Sequence, residues 1–322
     1  MRYAHDSLAA TLLTASGAPA NRIGDFAVGY VDVPPGETLA IAIDALAEGV
    51  HFATSDSAED VAFKAVAVNL SDLAAMGATP RSATVGLAVE ASRGAWLKGF
   101  RNGLGQAADA FGIDIVAADV CRGATVVSVE ALGHVPVTDA LHRKGALPGD
   151  SIFVTGSLGD AGLALALGRG EVSLSDDDDA AYLLARLNRP QPRLAAGVAL
   201  RGIASAAIDL SDGLSGDLGH VLLHSAVGAS VEVDKLPLSA ALRNGVSDET
   251  ARRLAISAGD DYELCFSVPE SRRKALQAQL PTMGCPVTHI GCVEAEPGLR
   301  LKFGDGRPYE TPAAYTHFSA PG

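Results

Sequence analysis

Four apolar runs, "TLAIAID" (38–44), "SATVGLAVE" (82–90), "IDIVAAD" (113–119) and "TVVSVEALGHV" (125–135), constrain this chain more than any other feature. Each has the length and composition of a strand, and helical patterns lie between them. In 94–111, Trp96, Phe100, Leu104, Ala107 and Phe111 recur at helical spacing, which makes a buried stripe and not a stacking platform for bases. Strands separated by amphipathic helices bury their apolar faces by forming a sheet that the helices cover. Composition agrees: hydrophobic residues are 48% and aromatics only 5%, so the core is built from Ala, Val, Leu and Ile.

A second set of elements follows a Gly- and Pro-rich stretch, "RKGALPGDSIFVTGSLG" (143–159). Helical patterns near 158–169 and 192–203 precede "SAAIDLSDGLSGDLGH" (205–220), and strands are expected at 229–234, 262–268 and 287–294. With 322 residues the chain can bury two cores. We expect two α+β domains, 1–140 and 141–322, with the junction near residue 140.

The net charge of −13 argues against a nucleic-acid or anionic-membrane partner, which needs clustered Lys and Arg, and leaves carboxylates to hold divalent cations. No apolar run reaches the roughly 18 to 20 residues that span a bilayer, and the N-terminal stretch lacks a basic start with an apolar core, so a cytoplasmic protein is expected. Cys121, Cys265, Cys285 and Cys292 form no disulfide framework. Cys285, His289 and Cys292 have a C-x3-H-x2-C spacing, but they fall on a strand-like run without a fourth ligand, and we read them as strand residues. The run Asp176 to Asp179 precedes an apolar-periodic stretch, as acidic residues at a helix N-terminus do.

The aspartates carry the chemistry. Asp25 sits in "NRIGDFAVG", Asp44 and Asp119 end apolar runs, Asp72 lies in "NLSDLAAMGA", and Asp209 and Asp212 flank Ser211 in "IDLSDGL". Any one of them alone reads as a turn or a helix cap. Several such carboxylates with small neighbours point to a shared cleft where Mg²⁺ takes oxygen ligands and bridges to phosphates. There is no G-x-x-x-x-G-K-[ST] and no G-x-G-x-x-G after a strand, so bound nucleotide depends on carboxylate-held metal.

The stretches "EGVHF", "VAVNLSDLAAMGATP", "ALPGDSIFVTGSLG", "AIDLSDGLSGDLGH" and "GDDYELCF" together resemble the thiamine-monophosphate kinase family. That family lies within the aminoimidazole ribonucleotide synthetase-like superfamily, and "EGVHF" favours the thiamine branch. The resemblance implies a two-domain α+β fold, with an N-terminal ATP/Mg-binding domain that pairs into a dimeric β-barrel and a C-terminal α/β domain. It implies a homodimer that moves the γ-phosphate of ATP onto thiamine monophosphate with several Mg²⁺ ions. The acceptor is already anionic, so no catalytic acid, base or nucleophile is required; the barrier is charge repulsion, which metal ions relieve.

By position, the resemblance makes Asp25, Asp44, Asp72, Asp119, Asp209 and Asp212 metal ligands. Ala118, Asp119, Arg143 and Ser211 become nucleotide contacts, and His51, Asp260 and Tyr315 substrate contacts. The chain departs from the family at several of these places. Phe26 stands where a second aspartate is usual after Asp25, and Ile43 and Ala45 flank Asp44 where threonines are usual. Ala117, Ala118 and Val120 replace two glycines and a threonine around Asp119, and Asp260 shortens a glutamate. Three readings stay open at this point: a thiamine-monophosphate kinase with fewer metals, a phosphotransferase with another acceptor, and a non-catalytic nucleotide-binding homologue.

Overall fold

The structure, a computed structural model, describes residues 9–14, 17, 23–25, 27–90 and 93–312. The chain divides into two compact units: Met1–Leu73 with Ala78–Thr138, and Ala74–Gly77 with Asp139–Gly322.

The first unit opens with a small antiparallel pair, β1 (Ile23–Asp25) and β2 (Val28–Gly29). Its main sheet has four strands: β3 (Glu37–Ala47), β4 (Thr79–Val89), β5 (Asp114–Arg122) and β6 (Val126–Pro136). Their order is β3-β6-β4-β5; only β4 and β5 run parallel, as a crossover through a helix requires. That crossover is α2 (Gly94–Phe111), which coincides with the periodic stretch 94–111 and buries Phe100, Leu104 and Ala107. Before β4 comes α1 (Ala58–Ala75). The two helices cross closely, because a side chain at Gly103 would meet the Glu59 backbone, and Phe63 packs on Phe111 with ring centroids 5.2 Å apart.

The four-stranded sheet is open, with β3 and β5 at its edges, and among the described residues no strand closes it into a barrel. On β3 the alternate residues Leu39, Ile41 and Ile43 leave one face exposed, while Ala42 and Leu46 are buried on the other.

In the second unit a seven-stranded sheet has the order β13-β12-β9-β11-β7-β10-β8. Its strands are β7 (Ser151–Thr155), β8 (Ala206–Asp209), β9 (Gly228–Glu232), β10 (Leu264–Val268), β11 (Val287–Glu294), β12 (Gly298–Lys302) and β13 (Pro308–Tyr309). All neighbours are antiparallel except β12 and β9. Strand alternation sends Ile152, Val154 and Ile208 into one core and Phe153, Ala207 and Phe266 into another, so both faces of the sheet are covered. Phe153 and Phe266 face each other across β7 and β10, with ring centroids 5.6 Å apart.

The helices are α3 (Asp160–Gly168), α4 (Asp177–Asn188), α5 (Leu194–Ala199), α6 (Leu214–Ser225), α7 (Ala240–Gly245), α8 (Asp248–Ser257) and α9 (Arg273–Gln279). Asp176 caps α4 by accepting the amides of Asp178 and Asp179, which accounts for the acidic run. Among the described residues no helix is long and apolar enough to cross a membrane.

Candidate functional site

Within the first unit the predicted ligands sit on four elements. Asp25 is the last residue of β1, and Phe26 lies outside the described residues. Asp44 does not end its strand, because pairing with β6 continues through Ala45, Leu46 and Ala47. Asp119 likewise lies inside β5, three residues before Arg122. The register places Asp44 in a row with Val129, Val85 and Ala118, and Asp119 in the next row with Gly86, Ser128 and Ala45. Adjacent rows emerge on opposite faces, so this sheet does not aim the two carboxylates at one point. Ala118 is buried on the Asp44 face, which leaves it only backbone to offer a ligand. Asp72 lies in the last turn of α1, half-buried between the buried Ser71 and Leu73.

His51 belongs to a tight turn after β3, in which Gly49 donates to the Phe52 carbonyl and His51 to the Ala47 carbonyl. Its ring Nδ1 accepts the amide of Ala47 at 3.0 Å.

The second unit brings four of its predicted residues together. Asp209 ends β8 and is buried; Ser211 is exposed, Asp212 half-buried, and Gly213 leads into α6. Gly213 has φ +101°, and a Cβ there would meet the Ser257 backbone, so glycine is required. The 258–263 loop is pinned against this segment: Asp260 donates its amide to the Ser211 carbonyl at 2.9 Å, and Tyr262 to the Leu210 carbonyl at 2.8 Å. Asp260 and Tyr262 both have positive φ, and the Tyr262 hydroxyl donates to Asp260 Oδ1 at 3.0 Å. Asp209, Ser211, Asp212 and Asp260 therefore lie on two hydrogen-bonded loops at one end of β8 and β10. Arg143 is exposed on the segment whose neighbour, His142, accepts the Ala207 amide at 2.9 Å at the edge of the sheet. Tyr315 lies outside the described residues. Among the described residues, no group of three or more His, Cys, Asp or Glu is arranged to hold a metal ion, and Cys285, His289 and Cys292 are no exception.

Sequence reasoning missed Asp217. It lies on the buried stripe of α6 with Leu214, Leu218, Val221 and Leu222, and its Oδ2 accepts the Asp212 amide at 2.9 Å. Burial pushes its carboxyl up to about 7; the Asp212 amide opposes the rise, and the nearby Asp209 and Asp212 carboxylates add to it. A carboxylate on an otherwise apolar helical stripe was the signal that could have found it.

Behind the 258–263 loop lies an ionic network whose members are also absent from the predicted site. Glu263 is fully buried and accepts from Thr155 Oγ1 at 2.7 Å, Arg186 Nη2 at 2.8 Å and Arg193 Nε at 2.5 Å, with Arg193 Nη2 as a further partner. Asp261 takes the Gly159 amide on both oxygens at 2.9 and 3.0 Å, and burial holds its carboxyl well above the usual carboxylate range. Asp160 accepts the hydroxyls of Ser157, Tyr182 and Ser239. "GDDYEL" is thus divided in burial: Asp261 and Glu263 point into the protein and brace the loop, and Asp260 is half-buried.

Comparison with known proteins agrees with this architecture. The AIR synthase related protein N-terminal domain matches residues 24–135, and the AIR synthase related protein C-terminal domain matches 148–304. Thiamine-monophosphate kinase of Salmonella typhimurium (strain LT2) is 44% identical over 293 residues, covering 90% of each chain. The crystal structure of thiamine-monophosphate kinase from Stenotrophomonas maltophilia K279a superposes with a TM-score of 0.83 at 38% identity, covering 94% of this chain and 96% of that one. The structure of AaThiL complexed with AMPPCP and TMP gives a TM-score of 0.78 at 30% identity, with 93% of each chain covered. With both domains matched in order and relatives this similar along nearly the whole length, the chain belongs to the AIR synthase related family and, within it, to the thiamine-monophosphate kinases.

Proposed function

We propose that this protein transfers the γ-phosphoryl group of ATP directly to the phosphate of thiamine monophosphate, giving thiamine diphosphate and ADP. One observation carries the reading: the chain is similar along nearly its whole length to a kinase whose structure holds an ATP analogue together with TMP. The same reading makes residues 1–140 the ATP- and Mg-binding, dimerising half and residues 141–322 the α/β half, working in the cytoplasm, where ATP is supplied.

The types of residue present are those that would hold magnesium. Asp209 and Asp212 offer carboxylate oxygens on a loop held by Asp217 and the 258–263 segment, and Asp25, Asp44, Asp72 and Asp119 are donors of the same hard type. When bound, magnesium ions neutralise phosphate charge and align donor and acceptor. The chain's own contribution is then to bind and orient. In the first unit the resemblance makes the backbone at Ala118 and Asp119 a nucleotide contact and His51 an acceptor contact; in the second it makes Ser211 and Arg143 nucleotide contacts and Asp260 and Tyr315 acceptor contacts. No residue has to remove a proton, because the attacking oxygen is already anionic.

The exposed β3 row of Leu39, Ile41 and Ile43 supports a homodimer in which two open sheets meet. The reaction is tested by incubating the purified protein with ATP, Mg²⁺ and thiamine monophosphate. We expect thiamine diphosphate and ADP in equal amounts, and much slower turnover with thiamine or with unrelated phosphate monoesters. Equal rates with an unrelated monoester would point to another acceptor.

A further inference from the structure

A cavity of about 680 Å³ lies within the second unit, and none of its lining residues is among the proposed metal, nucleotide or acceptor contacts. One face of α4 forms a wall of it. Asp178, Tyr182 and Arg186 follow one another at four-residue intervals and so share that face, with Asp179 beside them. The rise of the helix spreads Asp178 and Arg186 over about 12 Å, which puts carboxylates at one end, a guanidinium at the other and the Tyr182 ring between. Tyr182 is 43% exposed, and its hydroxyl is held by Asp160 Oδ2 at 3.1 Å. Ala240 and Pro286 add apolar surface to the lining.

Two arginines build the basic end. Arg193 directs Nε and Nη2 at Glu263, and Arg186 directs Nη2 at Glu263 and at the carbonyls of Ser157 and Asp261. Glu263 is fully buried, and Nη1 of each guanidinium has no hydrogen-bond partner among the described residues. At the acidic end Asp179 Oδ2 accepts Asn244 Nδ2 at 3.0 Å, while Asp178 is exposed and its carboxylate has no partner among the described residues. Asp160, Asp178, Asp179 and Glu263 together outnumber the two arginines here. A doubly charged phosphate is therefore disfavoured, whereas a singly charged carboxylate suits the free edges of the guanidiniums. A cation suits Asp178 and the face of Tyr182.

We propose that this cavity is a second ligand site and that it takes a small flat amino-carboxylate, with the carboxylate on Arg186 and Arg193, the ring against Tyr182 and the ammonium at Asp178 and Asp179. Its volume lies in the range of small-molecule sites. The site is also tied to the 258–263 loop, because Arg186 Nη2 donates to the Asp261 carbonyl at 3.4 Å and to Glu263 Oε1 at 2.8 Å. An occupant that holds the Arg186 guanidinium steadies that loop from behind. The site and its coupling to the loop stand apart from the proposed reaction.

Calorimetric titration of the full chain with 4-(aminomethyl)benzoate, benzylamine and benzoate separates the two charged ends. We expect one molecule of 4-(aminomethyl)benzoate per chain, bound at least tenfold more tightly than either singly charged compound. Asp178→Asn with Asp179→Asn should weaken that binding about tenfold and bring the affinity close to that for benzoate. Ala240→Trp, which fills the cavity from an exposed position, should abolish it. Hydrogen–deuterium exchange of the 258–263 segment should slow several-fold when 4-(aminomethyl)benzoate is added to the wild-type protein. No binding at millimolar concentration would overturn the site, as would equal affinity for benzoate or wild-type affinity in Ala240→Trp. If Ala240→Trp does not fold, unchanged affinity in the Asp178 and Asp179 variant overturns the site instead. Binding that leaves exchange of the 258–263 segment unchanged would overturn the coupling.

Discussion

Asp217 Oδ2 accepts the backbone amide of Asp212 at 2.9 Å from a position that is 3% exposed. A buried helix carboxylate thus holds the loop that carries the proposed ligands Asp209 and Asp212, and burial together with their negative field makes it a weaker acid. Its carboxyl moves from 3.8 to about 7 on folding, so between those values the folded chain keeps a proton that the unfolded chain has released. Stability contributed by this group is therefore highest at low pH and falls as pH rises through about 7, by at most about 4 kcal/mol. In metal-free buffer, Asp217→Asn should melt higher than wild type at pH 8.5, and the gain should shrink as pH falls below about 7 and vanish only below about pH 4. A difference between the two proteins that does not change with pH would contradict the assignment.

Glu263 depends on its arginines. Removing Arg193 leaves a fully buried carboxylate short of two of its hydrogen bonds, and breaking such a pair costs about 3 to 5 kcal/mol. Arg193→Ala should therefore lower the urea midpoint strongly, whereas the double variant Arg193→Met with Glu263→Leu should lose less than Arg193→Ala alone. A double variant as unstable as the single one would show that packing, not charge, dominates there.

The exposed β3 row predicts a dimer. Light scattering at micromolar concentration should give twice the chain mass, and Ile41→Asp with Ile43→Asp should give a folded monomer. A monomeric wild-type protein would remove the reason for this apolar face.

Phe26 stands where the resemblance implies a second aspartate ligand, and restoring that aspartate should be felt in turnover more than in ATP binding. Phe26→Asp should lower the Mg²⁺ concentration for half-maximal rate, or raise the rate, by up to about tenfold, equivalent to about 1.4 kcal/mol of barrier. A stable variant with an unchanged Mg²⁺ dependence would mean that the position is not part of the metal site.

Local pattern made much of this legible in the sequence. The α2 stripe was readable because 3.6-residue periodicity survives without knowledge of partners, and β3, β4, β5 and β6 were readable from apolar runs. Strand ends were misplaced where an aspartate looked like a stop. At Asp44 and Asp119 the backbone ladder continues, because an exposed carboxylate does not interrupt main-chain pairing. Roles within "GDDYEL" were hidden for another reason. Positive φ at Asp260 and Tyr262 breaks the alternation that would tell inward from outward residues. Arg186 and Arg193 meet Glu263 from 77 and 70 residues away, a pairing that no local pattern encodes. Asp217 was masked by the apolar stripe in which it lies.

Direct transfer between ATP and thiamine monophosphate is tested most sharply by a single turnover with γ-³²P-labelled ATP, Mg²⁺, excess protein and thiamine monophosphate, followed by separation of protein, inorganic phosphate and thiamine species. The label should pass into the terminal phosphate of thiamine diphosphate in step with ADP formation, with none held on the protein. Label that accumulates as inorganic phosphate or as phosphoprotein, while thiamine monophosphate is left unchanged, would contradict the account.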